Sequence, residues 1–197
     1  MEGATDMAPG TARTPAPSTP ARRAIRVRVW DPFVRAFHWL LVAGFAVNYF
    51  ELVRSGKLLH QVIGYALLTL IAARIAWGFA GSRHARFSDF VRRPSSVRRY
   101  LRDILARRDR RYVGHNPAGG AMVLALIGIM SLVGLSGWLC TTDRFFGSDF
   151  MEGAHALLAN LLLALVAVHV LGVIHASWRH RENLVLSMLT GRKRDGA

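Results

Sequence analysis

The sequence predicts an all-α fold: an integral membrane four-helix bundle, with a short amphipathic interfacial helix beside it. Three observations carry that reading. First, 52% of the 197 residues are apolar and the mean hydropathy is +0.24, yet the apolar residues are gathered into four long runs rather than spread through the chain. Second, the charge is strongly one-sided, with 26 Lys and Arg against 12 Asp and Glu, and it lies between the runs. Third, the apolar runs contain histidines. A formal charge of +14 would also suit nucleic acid, but four apolar runs attribute it to membrane topology instead.

Residues 1–25 are rich in Ala, Thr and Pro, cannot bury a core, and are expected to form a disordered cytoplasmic tail. The order of basic flank and apolar core typical of a cleaved leader is absent here, so the first span is expected to stay attached. The helical domain is expected over 26–190, with a basic cytoplasmic tail at 191–197.

The first run, at about 37–50, is short for roughly 30 Å of hydrocarbon unless Phe33, Val34 and Leu52 extend it. His38 stands near its start. The second run, about 58–79, carries His60 at its beginning and Arg74 fourteen residues on, the same helix face about 21 Å further along. An arginine so placed either snorkels or meets an anion.

Residues 81–115 hold eleven arginines and three aspartates. Within them Val97, Tyr100, Leu101, Ile104 and Leu105 recur at helical spacing after Pro94, Ser95 and Ser96, which predicts the amphipathic helix, suited to an anionic leaflet. The third run, about 119–139, has no histidine. It carries Gly128, Ser131, Gly134 and Gly137, small residues that allow close helix approach, and follows Asn116 and Pro117 as cap and first-turn residues. Cys140 is the only cysteine, so a disulfide within the chain and a covalently attached haem are both ruled out; packing is its expected role.

The fourth run, about 155–178, joins His155 and His169 through almost wholly apolar residues. Fourteen residues are about 3.9 turns, so both imidazoles leave one helix face, roughly 21 Å apart. Of the 26 basic residues, 22 fall in 1–37, in 81–115 or from Arg179 onward, whereas Arg54, Lys57 and Arg144 occupy the opposite side. The positive-inside rule then sets both termini in the cytoplasm and the chain in the inner membrane as a multi-pass protein. That topology leaves two pairs at matching depth, His60 with His155 on the outer side and His38 with His169 on the inner side.

Histidines inside a bundle often serve only as interhelical hydrogen-bonding residues. Two depth-matched pairs are better explained as axial ligands, because a neutral imidazole offers iron one lone pair while its other nitrogen donates to a neighbour. Zinc fits less well, since Cys or carboxylate partners are missing at either depth. His175 falls about 200° round the helix from His155, and His84 and His180 lie in basic segments. His115 is a reserve ligand.

Several stretches in order, VWDPFVRAFHWLL, HQVIGYALL, RIAWGFAGSRHARFSDFV, GHNPAGGAMVLAL, HALLANLLLALVAVHVLGV and WRHRENLVLSMLTGRKR, resemble the bacterial cytochrome b561 family, which includes the cytochrome b subunits of nickel-iron hydrogenases. The similarity covers about residues 26–194. It implies two non-covalent b haems with bis-histidine ligation at His38, His60, His155 and His169. It also implies electron transfer between a periplasmic-side partner, a c-type cytochrome or a hydrogenase, and membrane quinone. Loop 141–153 is shorter than in many members. Arg74 and Arg35 are candidate partners for the inner haem's propionates, with Arg54 and Lys57 at the outer haem.

The leading expectation is therefore a dihaem electron-transfer protein rather than a stand-alone enzyme. The alternatives are a superoxide:quinone oxidoreductase, with Arg54, Lys57 and Arg144 attracting the anion, and a membrane anchor subunit of a hydrogenase-type complex.

Overall fold

The computed structural model describes residues 26–52 and 56–194. The tail 1–25, Arg54 and residues 195–197 lie outside the described residues. In chain order the elements are β1 (Arg26–Arg28), α1 (Pro32–Tyr49), α2 (Gly56–Ala80), a 3-10 turn (Arg83–Ala85), α3 (Phe87–Phe90), α4 (Pro94–Leu105), α5 (Pro117–Leu139), α6 (Asp149–Arg179), α7 (Leu184–Thr190) and β2 (Arg192–Arg194). The fold is mostly helical. The apolar stretches of α2, α5 and α6 are each long enough to cross a membrane. At 1.5 Å per residue the 18-residue α1 is only about 27 Å long and falls outside that group.

Helix starts follow local chemistry. Asp31 caps α1 by accepting from the Val34 N–H at 2.8 Å, with Pro32 in the first turn. Asn116 does the same for α5, accepting from the Gly119 N–H at 2.7 Å ahead of Pro117. Ser148 caps α6, so that helix begins six residues before His155 and takes Asp149 and Glu152 into its first turn, where acidic groups complement the helix dipole. The expected loop 141–153 is thus shorter still.

The four long helices pack in the sequence α1–α2–α5–α6. Ile71, Met130 and Leu162 form the buried centre, joined by Phe37, Leu41 and Phe45 from α1 and Val166 from α6. Outside this narrow core the chain is inverted relative to a water-soluble bundle: Leu40, Val62, Leu132, Leu135, Leu157, Leu161, Leu171 and Ile174 are exposed, whereas Arg74 and Ser136 are buried. An apolar exterior around a partly polar interior is what a hydrocarbon solvent selects.

One end of the bundle is knitted by polar contacts. β1 pairs antiparallel with β2, register Val27 with Lys193, which brings the segment before α1 against the segment after α7. Gly191 closes α7 at φ 76°, and a Cβ there would stand 2.7 Å from the Trp30 carbonyl oxygen, so the close approach and the left-handed backbone both call for glycine. Arg111 donates to Glu182 at 3.1–3.3 Å, and Asp109 accepts from Arg179 at 3.2 Å. Loop 81–116 and the C-terminal segment therefore share this basic end. α4 packs on α5, with Tyr100 buried while Leu101 and Leu105 stay exposed.

Candidate metal centre

At the end of the bundle away from the basic loops, His60 of α2 meets His155 of α6, with ring centroids 6.1 Å apart and planes at 82°. Metal–imidazole nitrogen bonds are about 2 Å long and the ring centre lies about 1 Å beyond the nitrogen, so two rings flanking one ion stand roughly 6 Å apart. The observed separation matches. His155 is anchored on its far side by a 3.0 Å contact between Nδ1 and the Ser136 hydroxyl. A Cβ on Gly137 would lie 3.0 Å from His155 Cε1, so bare backbone lets the ring lie against α5. The surrounding helices are tied together at this level: Asn48 donates to the His60 carbonyl at 3.0 Å, Tyr49 to Asn160 at 2.6 Å, and Tyr65 and Thr141 share a 3.0 Å hydroxyl contact.

Towards the basic end, His38 of α1, with Trp39 edge-on to it at 5.0 Å, and His169, fourteen residues beyond His155 on α6, are both half-buried. Among the described residues, four buried side-chain nitrogens have no hydrogen-bond partner: His38 Nδ1, Arg35 Nε, Arg74 Nη1 and His115 Nδ1. Arg35 Nε and Arg74 Nη1 are donors only, and orphaned buried donors are costly, so this end is suited to acceptor groups; the two imidazole nitrogens donate or accept according to tautomer. Arg35 is fixed by donating from Nη2 to the Leu189 carbonyl. Arg74 is 3% exposed; its Nη2 donates to the Ala85 carbonyl at 3.2 Å, and its guanidinium lies 5.7 Å from the Phe87 ring centre. Burial, not snorkelling, is thus what the structure gives for Arg74.

The remaining histidines are placed elsewhere. His84 contacts Asp89 at 3.0 Å, His180 contacts Asp109 at 3.1 Å, and His175 is exposed on α6. His115, held in reserve from its sequence, is wedged between Trp30 and Phe90, each 4.7 Å from its ring. Burial first, then the neighbouring Lys193 charge, pushes its pKa down to about 3, so it stays neutral near pH 7. Among the described residues, His, Cys, Asp and Glu nowhere gather in a group of three or more able to hold a metal. Two-histidine sets suit a planar macrocycle that brings its own equatorial nitrogens.

Asp31 ties the start of α1 to the end of α2, accepting from Trp77 Nε1 at 3.1 Å and from the Ser82 hydroxyl. Burial alone would raise its pKa, but the hydrogen bonds from Ser82, Val34 and Trp77 together hold it below the usual carboxylate range. Sequence reasoning did not reach Ser136, Asn48, Tyr49, Asn160 or Lys193. A serine directly before Gly137 was the available signal for the first; the others depend on contacts between segments distant in sequence.

The sequence model of the prokaryotic cytochrome b561 family matches residues 29–191. A protein of Cupriavidus necator described as a probable Ni/Fe-hydrogenase B-type cytochrome subunit is 24% identical over 212 aligned positions, which cover 83% of this chain and 85% of that protein. No solved structure matches the chain. With the family match enclosing both histidine-bearing ends of the bundle, the chain belongs to the prokaryotic cytochrome b561 family, and its role is that of a bacterial membrane protein carrying electrons through haem b.

Proposed function

We propose that the protein holds two b haems, one between His60 and His155 and the other between His38 and His169, and passes electrons between a partner on the periplasmic side and membrane quinone. In this reading α1 is the fourth span, α4 lies in the inner leaflet's surface, residues 26–190 form one membrane domain, and both termini are cytoplasmic. The single observation that carries it is the 6.1 Å separation of His60 and His155 at one level of α6, with His169 four turns away at the other.

Haem b, when bound, would supply reversible one-electron carriage, and His60 with His155 and His38 with His169 would hold it. The chain's own residues do the rest. Fourteen residues of α6 hold the two pairs about 21 Å apart along one rigid helix. Arg35, one turn before His38 on α1, and Arg74, fourteen residues beyond His60 on α2, each present a buried, unsatisfied guanidinium nitrogen, the group needed to receive a propionate. Exposed Leu101 and Leu105 with the arginines of α4 suit an anionic lipid surface. The relative's description as a hydrogenase subunit favours a hydrogenase-type partner over a c-type cytochrome as electron donor.

Proteoliposomes containing enclosed ferricyanide test the transmembrane route. A membrane-impermeant reductant added outside should bleach the enclosed ferricyanide, and His169→Ala should abolish the bleaching. Equal rates with both proteins would sink the proposal.

A further inference from the structure

We propose that Ser136 is the positioning residue of the outer site: it holds His155 in the tautomer with hydrogen on Nδ1, which leaves Nε2 free to bind iron and strengthens it as a donor. This rests on the reading of His155 as a haem ligand.

The argument is a count of hydrogens. Ser136 is 6% exposed and has one hydroxyl hydrogen. That hydrogen is given to the Val133 carbonyl, 3.0 Å away in the preceding turn of α5. The same oxygen lies 3.0 Å from His155 Nδ1, so with its hydrogen already committed it accepts there, and Nδ1 must donate. The lone pair then sits on Nε2. Gly137, next in sequence, lets the ring settle against α5, so two successive residues fix both the orientation and the protonation of one imidazole.

An acceptor on the far nitrogen makes an imidazole a stronger donor and favours the more highly charged metal state. Removing it should therefore raise the potential of the outer haem and leave the inner one unchanged. Ser131 provides the control, since its hydroxyl donates to the Ile127 carbonyl at 2.8 Å in the same helix with no histidine hydrogen-bonded to it.

The experiment is potentiometric titration of Ser136→Ala, Ser136→Thr and Ser131→Ala in the purified, haem-loaded protein, with haem counted per chain. The expected result is a rise in the outer-haem midpoint for Ser136→Ala, or selective loss of that haem, with near-native values in Ser136→Thr and Ser131→Ala. An outer-haem potential unmoved or lowered in Ser136→Ala overturns the proposal, as does the same shift in Ser131→Ala or outer-haem loss in Ser136→Thr as well. Failure of the underlying reading looks different: the unmutated protein would then lack a haem that depends on His60 and His155.

Discussion

Glu182 is nearly inaccessible, yet it accepts from Arg111 through both oxygens and from the Arg194 N–H at 3.0 Å, so one carboxylate joins loop 81–116 to β2. Burial would raise its pKa from 4.5, but the Arg111 and Arg194 hydrogen bonds and the Arg111 charge hold it lower. A carboxylate with a depressed folded pKa stabilises the fold above its unfolded value, and that contribution is lost as pH falls through the folded value. His115 acts in the same direction for the opposite reason. It is a base kept neutral by burial, so the unfolded chain takes up its proton first, and stability falls below about pH 6.5 until about pH 3. Protection factors for amide exchange in residues 183–194, taken relative to the intrinsic rate at each pH, should accordingly fall in acid, first from His115, then below about pH 4.5 from Glu182, with Asp31 adding to the loss of stability below about pH 3.8. Glu182→Ala leaves the partly buried Arg111 without its partner and should cost about 3 kcal/mol. Thermal unfolding with no loss in that variant would show the pair to be incidental.

At the scale of elements, α5 owes its position to bare backbone. A Cβ on Gly120 would meet the Phe90 carbonyl oxygen at 2.5 Å, and that backbone atom cannot swing aside as a side-chain tip can. Gly120→Ala should therefore destabilise by about 1–3 kcal/mol, whereas Gly128→Ala, where open space surrounds the new methyl, should be neutral or slightly stabilising. Equal melting temperatures for the two variants would refute this assignment of the α5 surface. The small-residue stripe was visible in the sequence, and Gly134 and Gly137 do meet Leu68 and His155, but the sequence could not show that Gly128 meets nothing. The helices α2, α5 and α6 were legible because apolar runs of this length have few other solutions. α4 was legible from its periodicity, and its bounds begin at the expected Pro94. β1 and β2 were not: three residues each, alternating Arg with Val or Lys, carry no pattern, and they exist only because residues 26 and 194 meet in space. Of the site, the pairing of His60 with His155 followed from the topology set by the loop charges, whereas Ser136 depended on which face of α5 turns toward α6.

Across the whole molecule, charge and burial divide along the bundle axis. The basic segments and the polar ties of Asp31, Asp109 and Glu182 gather at one end, and the outer histidine pair with its Asn48, Tyr49 and Tyr65 contacts stands at the other. Under the proposed reading this polarity would decide which haem faces which compartment, and α6, which carries both His155 and His169, would be the wall common to both. The most direct measurement is haem quantitation per chain with redox difference spectra, on the unmutated protein and on His155→Ala and His169→Ala. The account predicts two b haems per chain in the first and one in each variant, with different midpoint potentials for the survivors. One haem in the unmutated protein, or both retained when either histidine is replaced, would contradict it.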